Sequence, residues 1–231
     1  KHFRLIFTLL VLLPHLSSYA ALNIIITQGV DNPIPVAIVP FSWDGSGVLS
    51  EDISEIVTND LEQVGEFRAL GPDNMLGLPD EENEVFYRDW RVLAQDYLLV
   101  GKISRSPGSS LVQVQYEFFD VNREIKLAGE VLTGNVTQLR DIAHEISNVV
   151  FEQVTGIRGA FTTEILYIVS DYISPELTNF RLEKADYDGR RSQILLESEE
   201  PIMSPSWSPN GQDIAYVSFE TDLPRIYIQN I

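Results

Sequence analysis

Three histidines, no cysteine and 34 carboxylates are the raw material for chemistry in this chain of 231 residues. His2 and His15 lie in a segment that reads as a leader, which leaves His144 for the mature protein. A lone imidazole cannot build a multi-histidine zinc site. There is no Gly-x-Ser-x-Gly elbow to present a nucleophile and no Gly-x-x-x-x-Gly-Lys loop to cradle a phosphate. His144 is expected on the polar, exposed side of a helix. The pairs Glu81-Glu82 and Glu199-Glu200 sit in loop-like surroundings and read as solvated surface rather than as an acid and a base. Asn135-Val136-Thr137 has the form of a glycosylation site, but Thr137 is better explained as a helix cap. No catalytic, cofactor-binding or metal-binding residue is therefore expected.

The chemistry that remains belongs to the backbone. Lys1 and Arg4 precede an apolar run over residues 5–13, then Pro14 and the small-residue motif Ser18-Tyr19-Ala20. That order reads as a secretory leader cleaved between Ala20 and Ala21. The run is shorter than the roughly 20 apolar residues a bilayer crossing needs. Cleavage exposes an apolar strand, Leu22, Asn23, Ile24, Ile25, Ile26, Thr27 and Gln28, followed by a hinge of Gly29, Val30, Asp31, Asn32 and Pro33. Such a strand either sits in its own sheet or is released to pair with the edge of another protein's sheet.

The elements that position it follow from periodicity. Residues 36–41 are apolar throughout, as expected of a strand covered on both faces. Ser50 is expected to cap a helix whose stripe is Ile53, Ile56, Val57, Leu61 and Val64, with Gly65 as the stop. A short strand at 67–70, a polar loop at 71–84 and a short helix at 89–95 come next. A buried strand at 97–103 and two antiparallel strands at 112–118 and 125–133 follow. Thr137 is read as the cap of a last helix that ends at Gly156. Residues 21–160 thus form an α/β domain, a mixed sheet with packed helices.

From residue 161 to 231 only strands and turns are expected. Asp188-Gly189 signals a hairpin. The run Ser204-Pro205-Ser206-Trp207-Ser208-Pro209-Asn210-Gly211 reads as one blade start of a β-propeller, with Trp207 as blade core. A propeller needs several blades, so the chain is expected to be the first part of a longer protein. Its formal charge of -18 argues against nucleic acid, whose phosphates call for clustered Lys and Arg, and in favour of basic protein partners.

Gly29-Val30-Asp31, Ile38-Val39-Pro40-Phe41, the run from Phe151-Glu152-Gln153-Val154-Thr155-Gly156 through Phe161, Asp186-Tyr187-Asp188-Gly189 and Met203 through Gly211 together resemble the TolB family of the bacterial Tol-Pal system. The resemblance implies an α/β domain followed by a six-bladed β-propeller, truncated here, and no enzymatic activity or cofactor. It implies a periplasmic, monomeric adaptor linking inner-membrane TolA to the outer-membrane lipoprotein Pal, supporting outer-membrane integrity and invagination at cell division. TolA contact carries over to residues 22–33, and Pal contact to blades mostly absent here. The alternative is the propeller module of a prolyl oligopeptidase-like peptidase, which predicts a nucleophile elbow further along the chain.

Overall fold

The structure, a computed structural model, describes residues 32–106, 108–109, 111–174 and 177–231. Strand β1 (Ile34–Ile38) lies inside the first sheet, flanked in parallel by β3 (Phe67–Leu70) and β4 (Tyr97–Arg105). β5 (Val112–Asp120) and β6 (Ile125–Gly134) extend it antiparallel, giving the order β3-β1-β4-β5-β6, and the short β2 (Ser42–Trp43) runs beside β4. Pro35 is tolerated inside β1 because the ladder with β4 begins only at Val36 opposite Tyr97.

Both faces of β1 are dry. Val36 and Ile38 pack into a core with helices α1 (Ile53–Gln63) and α3 (Leu139–Thr155). Ala37 and Val39 face a smaller core around Trp90 of the short helix α2 (Tyr87–Val92). The mixed sheet is borne out, while the strand expected at 36–41 runs from Ile34 to Ile38, with residues 39–41 outside it.

Three helix starts differ from expectation. Asp52, not Ser50, caps α1: its carboxylate accepts from the Glu55 N–H at 3.2 Å, and Ser50 lies outside the helix. At the last helix a 3₁₀ turn (Val136–Gln138) precedes α3, and a capping box between Asn135 and Gln138 replaces Thr137. The carboxamide of Gln138 returns to the Asn135 N–H at 2.9 Å, which fixes the entry one turn earlier than the apolar stripe indicates. α2 also starts two residues before the expected position, at Tyr87. Gly156 ends α3 in the left-handed region at φ 72°, as expected.

The second half is all β. β7 (Glu164–Ser174), β8 (Leu177–Asp186) and β9 (Gln193–Ser198) form one antiparallel sheet. β10 (Ile202–Trp207), β11 (Asp213–Ser218) and β12 (Arg225–Asn230) form a second. Leu182, Ile202, Ile214 and Tyr216 make their shared core, with Trp207 packed against it, so the blade-core reading of Trp207 stands. The turn before β11 closes through the Gly211 N–H donating to Ser208 O at 3.0 Å, with Gly211 at φ 69°. Among the described residues no helix is long and apolar enough to cross a membrane.

Candidate functional site

Ala20, Ala21 and positions 22–31 of the expected partner-binding segment lie outside the described residues. Its last two residues are described: Asn32 is exposed and Pro33 half-buried. The next residue, Ile34, donates its N–H to Glu66 O at 2.8 Å and begins β1. The segment is therefore tethered directly to the most buried part of the sheet. At the sheet's ends, β6 carries the exposed Val131 and Ile125, and at β3 the Ala69 N–H donates to the Glu62 carboxylate at 3.2 Å. That bond blunts the β3 edge towards further pairing.

A second constellation was not expected. His144 is not a surface residue: it is 2% exposed, and its Nδ1 lies 2.7 Å from Asp60 Oδ2. Ser147, one turn further along α3, donates to the same oxygen at 2.7 Å and also to Ala143 O at 3.0 Å. The correction has a simple cause. α1 and α3 lie side by side, so part of the non-sheet face of each is covered by the other, and Asp60 on α1 meets His144 and Ser147 across that contact. Arg140, His144 and Ser147 lie four and three residues apart, a polar stripe at helical spacing, and that spacing was the available signal.

The joint continues into the propeller half. Arg140, with an 8% exposed side chain, pairs through Nε with Asp186 at 3.3 Å, contacts the Asp188 carboxylate, and lies 3.5 Å from Glu51. Arg191 binds Asp186 at 2.6 Å and Asp141 at 2.5 Å; these hydrogen bonds, Asp186 first, raise its pKa further above the usual guanidinium value. Tyr187, between the two aspartates, meets Phe161 edge to face at 5.5 Å, and Phe161 meets Phe151 of α3 at 5.8 Å. The β8–β9 turn thus presents carboxylates and an aromatic ring to the α/β domain.

Chemically the cluster is not a catalytic relay. Serine and histidine both bond to the aspartate rather than to each other, so the serine–histidine–aspartate order of a catalytic triad is not formed. Asp60, His144 and Asp188 have oxygen or nitrogen atoms within 4.8 Å of one another, a spacing compatible with a cation. Here the Asp60–His144 hydrogen bond and the Arg140–Asp188 ion pair occupy those atoms instead. Of the carboxylate pairs, Glu81 is paired with Lys102 and Glu82 with Lys126 at 2.7 Å, while Glu199 and Glu200 are exposed.

A mixed α/β domain, followed by successive three-stranded antiparallel sheets with the Trp-Ser-Pro turn, defines a two-domain α/β and β-propeller protein. Residues 22–127 match the TolB amino-terminal domain and residues 151–231 the TolB β-propeller domain. The chain is 46% identical over 213 residues to the Tol-Pal system protein TolB of Pseudomonas syringae pv. syringae, covering 90% of this chain and 48% of that protein. It is 44% identical over 215 residues to the TolB of Pseudomonas aeruginosa, covering 93% and 49%. The crystal structure of TolB from Acinetobacter baumannii superposes with a TM-score of 0.77 at 30% identity, covering 89% of this chain and 49% of that one. The chain belongs to the TolB family. It spans about half the length of the relatives it matches.

Proposed function

We propose that the protein is a non-enzymatic periplasmic adaptor of the Tol-Pal system, linking TolA to Pal and so supporting outer-membrane integrity and invagination at division. The supporting observation is the order of parts. Both TolB domain matches occur in sequence, and the apolar segment 22–33 feeds straight into β1, which is covered on both faces. A strand tethered to so rigid a base can be offered to a partner's sheet edge without disturbing the fold behind it.

In this reading the leader is removed after Ala20, residues 22–33 contact TolA by strand pairing, and a propeller of six blades carries the Pal surface. The protein acts as a monomer that bridges two partners and carries out no reaction. Nothing among the described residues favours the peptidase alternative over it. Calorimetric titration of the full-length protein against the periplasmic part of TolA tests the reading. Deletion of residues 21–33 should abolish TolA binding and leave Pal binding intact. Native affinity for TolA after that deletion would overturn it.

A further inference from the structure

Two buried polar atoms at the domain joint lack a partner among the described residues, His144 Nε2 and Asp60 Oδ1, and only the second, a carboxylate oxygen, can form an ion pair with a cation. Asp60 Oδ2 accepts two hydrogen bonds, whereas Asp60 Oδ1 is buried and has no partner among the described residues. Buried oxygens are almost always satisfied, so an empty one asks for an explanation. A buried guanidinium such as Arg140 likewise cannot be left unpaired. Here it is held at once by Asp186 and Asp188 of the β8–β9 turn and, at 3.5 Å, by Glu51 of its own domain. The Asp188 carboxylate in turn lies within 4.8 Å of the Asp60 carboxylate. A cavity of about 340 Å³ beside Arg140, bordered by Glu51, Asp188 and Arg191, leaves room for the guanidinium to swing.

We propose that Arg140 is a two-position latch between the α/β domain and the propeller. In the closed position it grips Asp186 and Asp188. When the turn withdraws, Arg140 keeps Glu51 and turns to the free oxygen of Asp60, so the charge stays paired in both positions. The latch is bistable for that reason: opening replaces Asp186 and Asp188 by Asp60 beside a constant Glu51, instead of stranding a buried cation. Arg140 acts as a positioning residue, fixing how the first propeller sheet sits on helices α1 and α3.

The absence of cysteine makes the test direct. In the full-length protein, spin labels on cysteines replacing the exposed Arg88 and Glu199 report the distance between α2 and the turn after β9 by double electron–electron resonance. Removing the turn's charges with Asp186→Asn and Asp188→Asn should raise the open population roughly tenfold or more, since a buried ion pair is broken. Adding Asp60→Asn, which keeps an acceptor oxygen for His144 and Ser147, should then lower that population, because the open position loses a partner. Arg140→Lys keeps the charge without the fork and should open less than Arg140→Met. An unchanged distance distribution on removing both aspartate charges refutes the latch. So does an open population that Asp60→Asn raises in that background, as purely structural damage would. Amide exchange at β4 checks that each variant retains its fold.

Discussion

Asp60→Ala pits two opposed effects against each other. The carboxylate is 1% exposed and takes hydrogen bonds from Ser147 and His144, each at 2.7 Å. Hydrogen bonds to a charged group contribute about 1.5–3 kcal/mol each. Ser147 keeps a partner after the change, in Ala143 O at 3.0 Å, but His144 loses the partner of Nδ1 and already has none at Nε2. Against this, alanine removes the cost of keeping a carboxylate out of water, which is several kcal/mol. Two short bonds and a stranded imidazole outweigh that relief, and we expect a net loss of about 3 kcal/mol, in the range for breaking a buried pair. Asp60→Asn, which keeps one acceptor oxygen, should lose about 1–2 kcal/mol. Amide hydrogen exchange at Leu98, Leu99 and Val100, all fully buried in β4, reads the difference. The alanine variant should exchange there roughly a hundredfold faster, because about 1.4 kcal/mol is a factor of ten. Exchange at the native rate or slower refutes the reasoning, since it would mean that burying the carboxylate costs more than its bonds return.

Gly101→Ala should destabilise the α/β domain by about 2–3 kcal/mol in urea unfolding. The added Cβ would lie 2.6 Å from the Gln115 backbone oxygen, which the β4–β5 ladder holds in place, and 2.5 Å from a Phe41 ring carbon; a loss under about 0.5 kcal/mol would show the ladder to be softer than supposed. Tyr116 gives an alkaline signature. Burial, then Glu130 and Glu145, push its hydroxyl from 10.0 up to about 12, so the folded state keeps a proton that the unfolded chain gives up. The stabilisation is whole below pH 10 and is lost as pH rises through 12, about 2–3 kcal/mol in all. Tyr116→Phe should lack that decline when urea midpoints are compared from neutral to alkaline pH. On β12, Ile226 and Ile228 are 78% and 77% exposed, and replacing both with Lys should reduce self-association of the 231-residue chain in sedimentation velocity. Unchanged association would place the adhesive surface elsewhere.

The sheet and its helices were legible because burial there follows the period of each element. Val36 and Ile38 go to one face of β1 and Ala37 and Val39 to the other, and the α1 stripe of Ile53, Ile56, Val57 and Leu61 is buried as expected. The joint was not legible, because the polar stripe of Arg140, His144 and Ser147 has the same helical spacing as a solvated face. Asp60, His144 and Ser147 occupy the side where two helices touch, and polar residues there look no different from solvated ones until the partner helix is placed. The caps failed for a related reason. Ser50 and Thr137 are good capping types, but Asp52 and the Asn135–Gln138 pair reach the free N–H groups, and reach depends on the chain's entry angle. Asp188-Gly189 was correctly read as a hairpin, with Gly189 at φ 79°, yet nothing local indicated that the turn's side chains would meet another domain.

Every group in that joint, from Glu51 to Arg191, lies in the stretch of chain that precedes β9. As the polypeptide emerges from its amino end, the turn can seat itself on α1 and α3 once residue 191 is available, and no later strand is required. The ion pairs that join the first propeller sheet to the α/β domain are thus encoded before β9 and the second sheet, and the joint does not depend on the later strands for its partners.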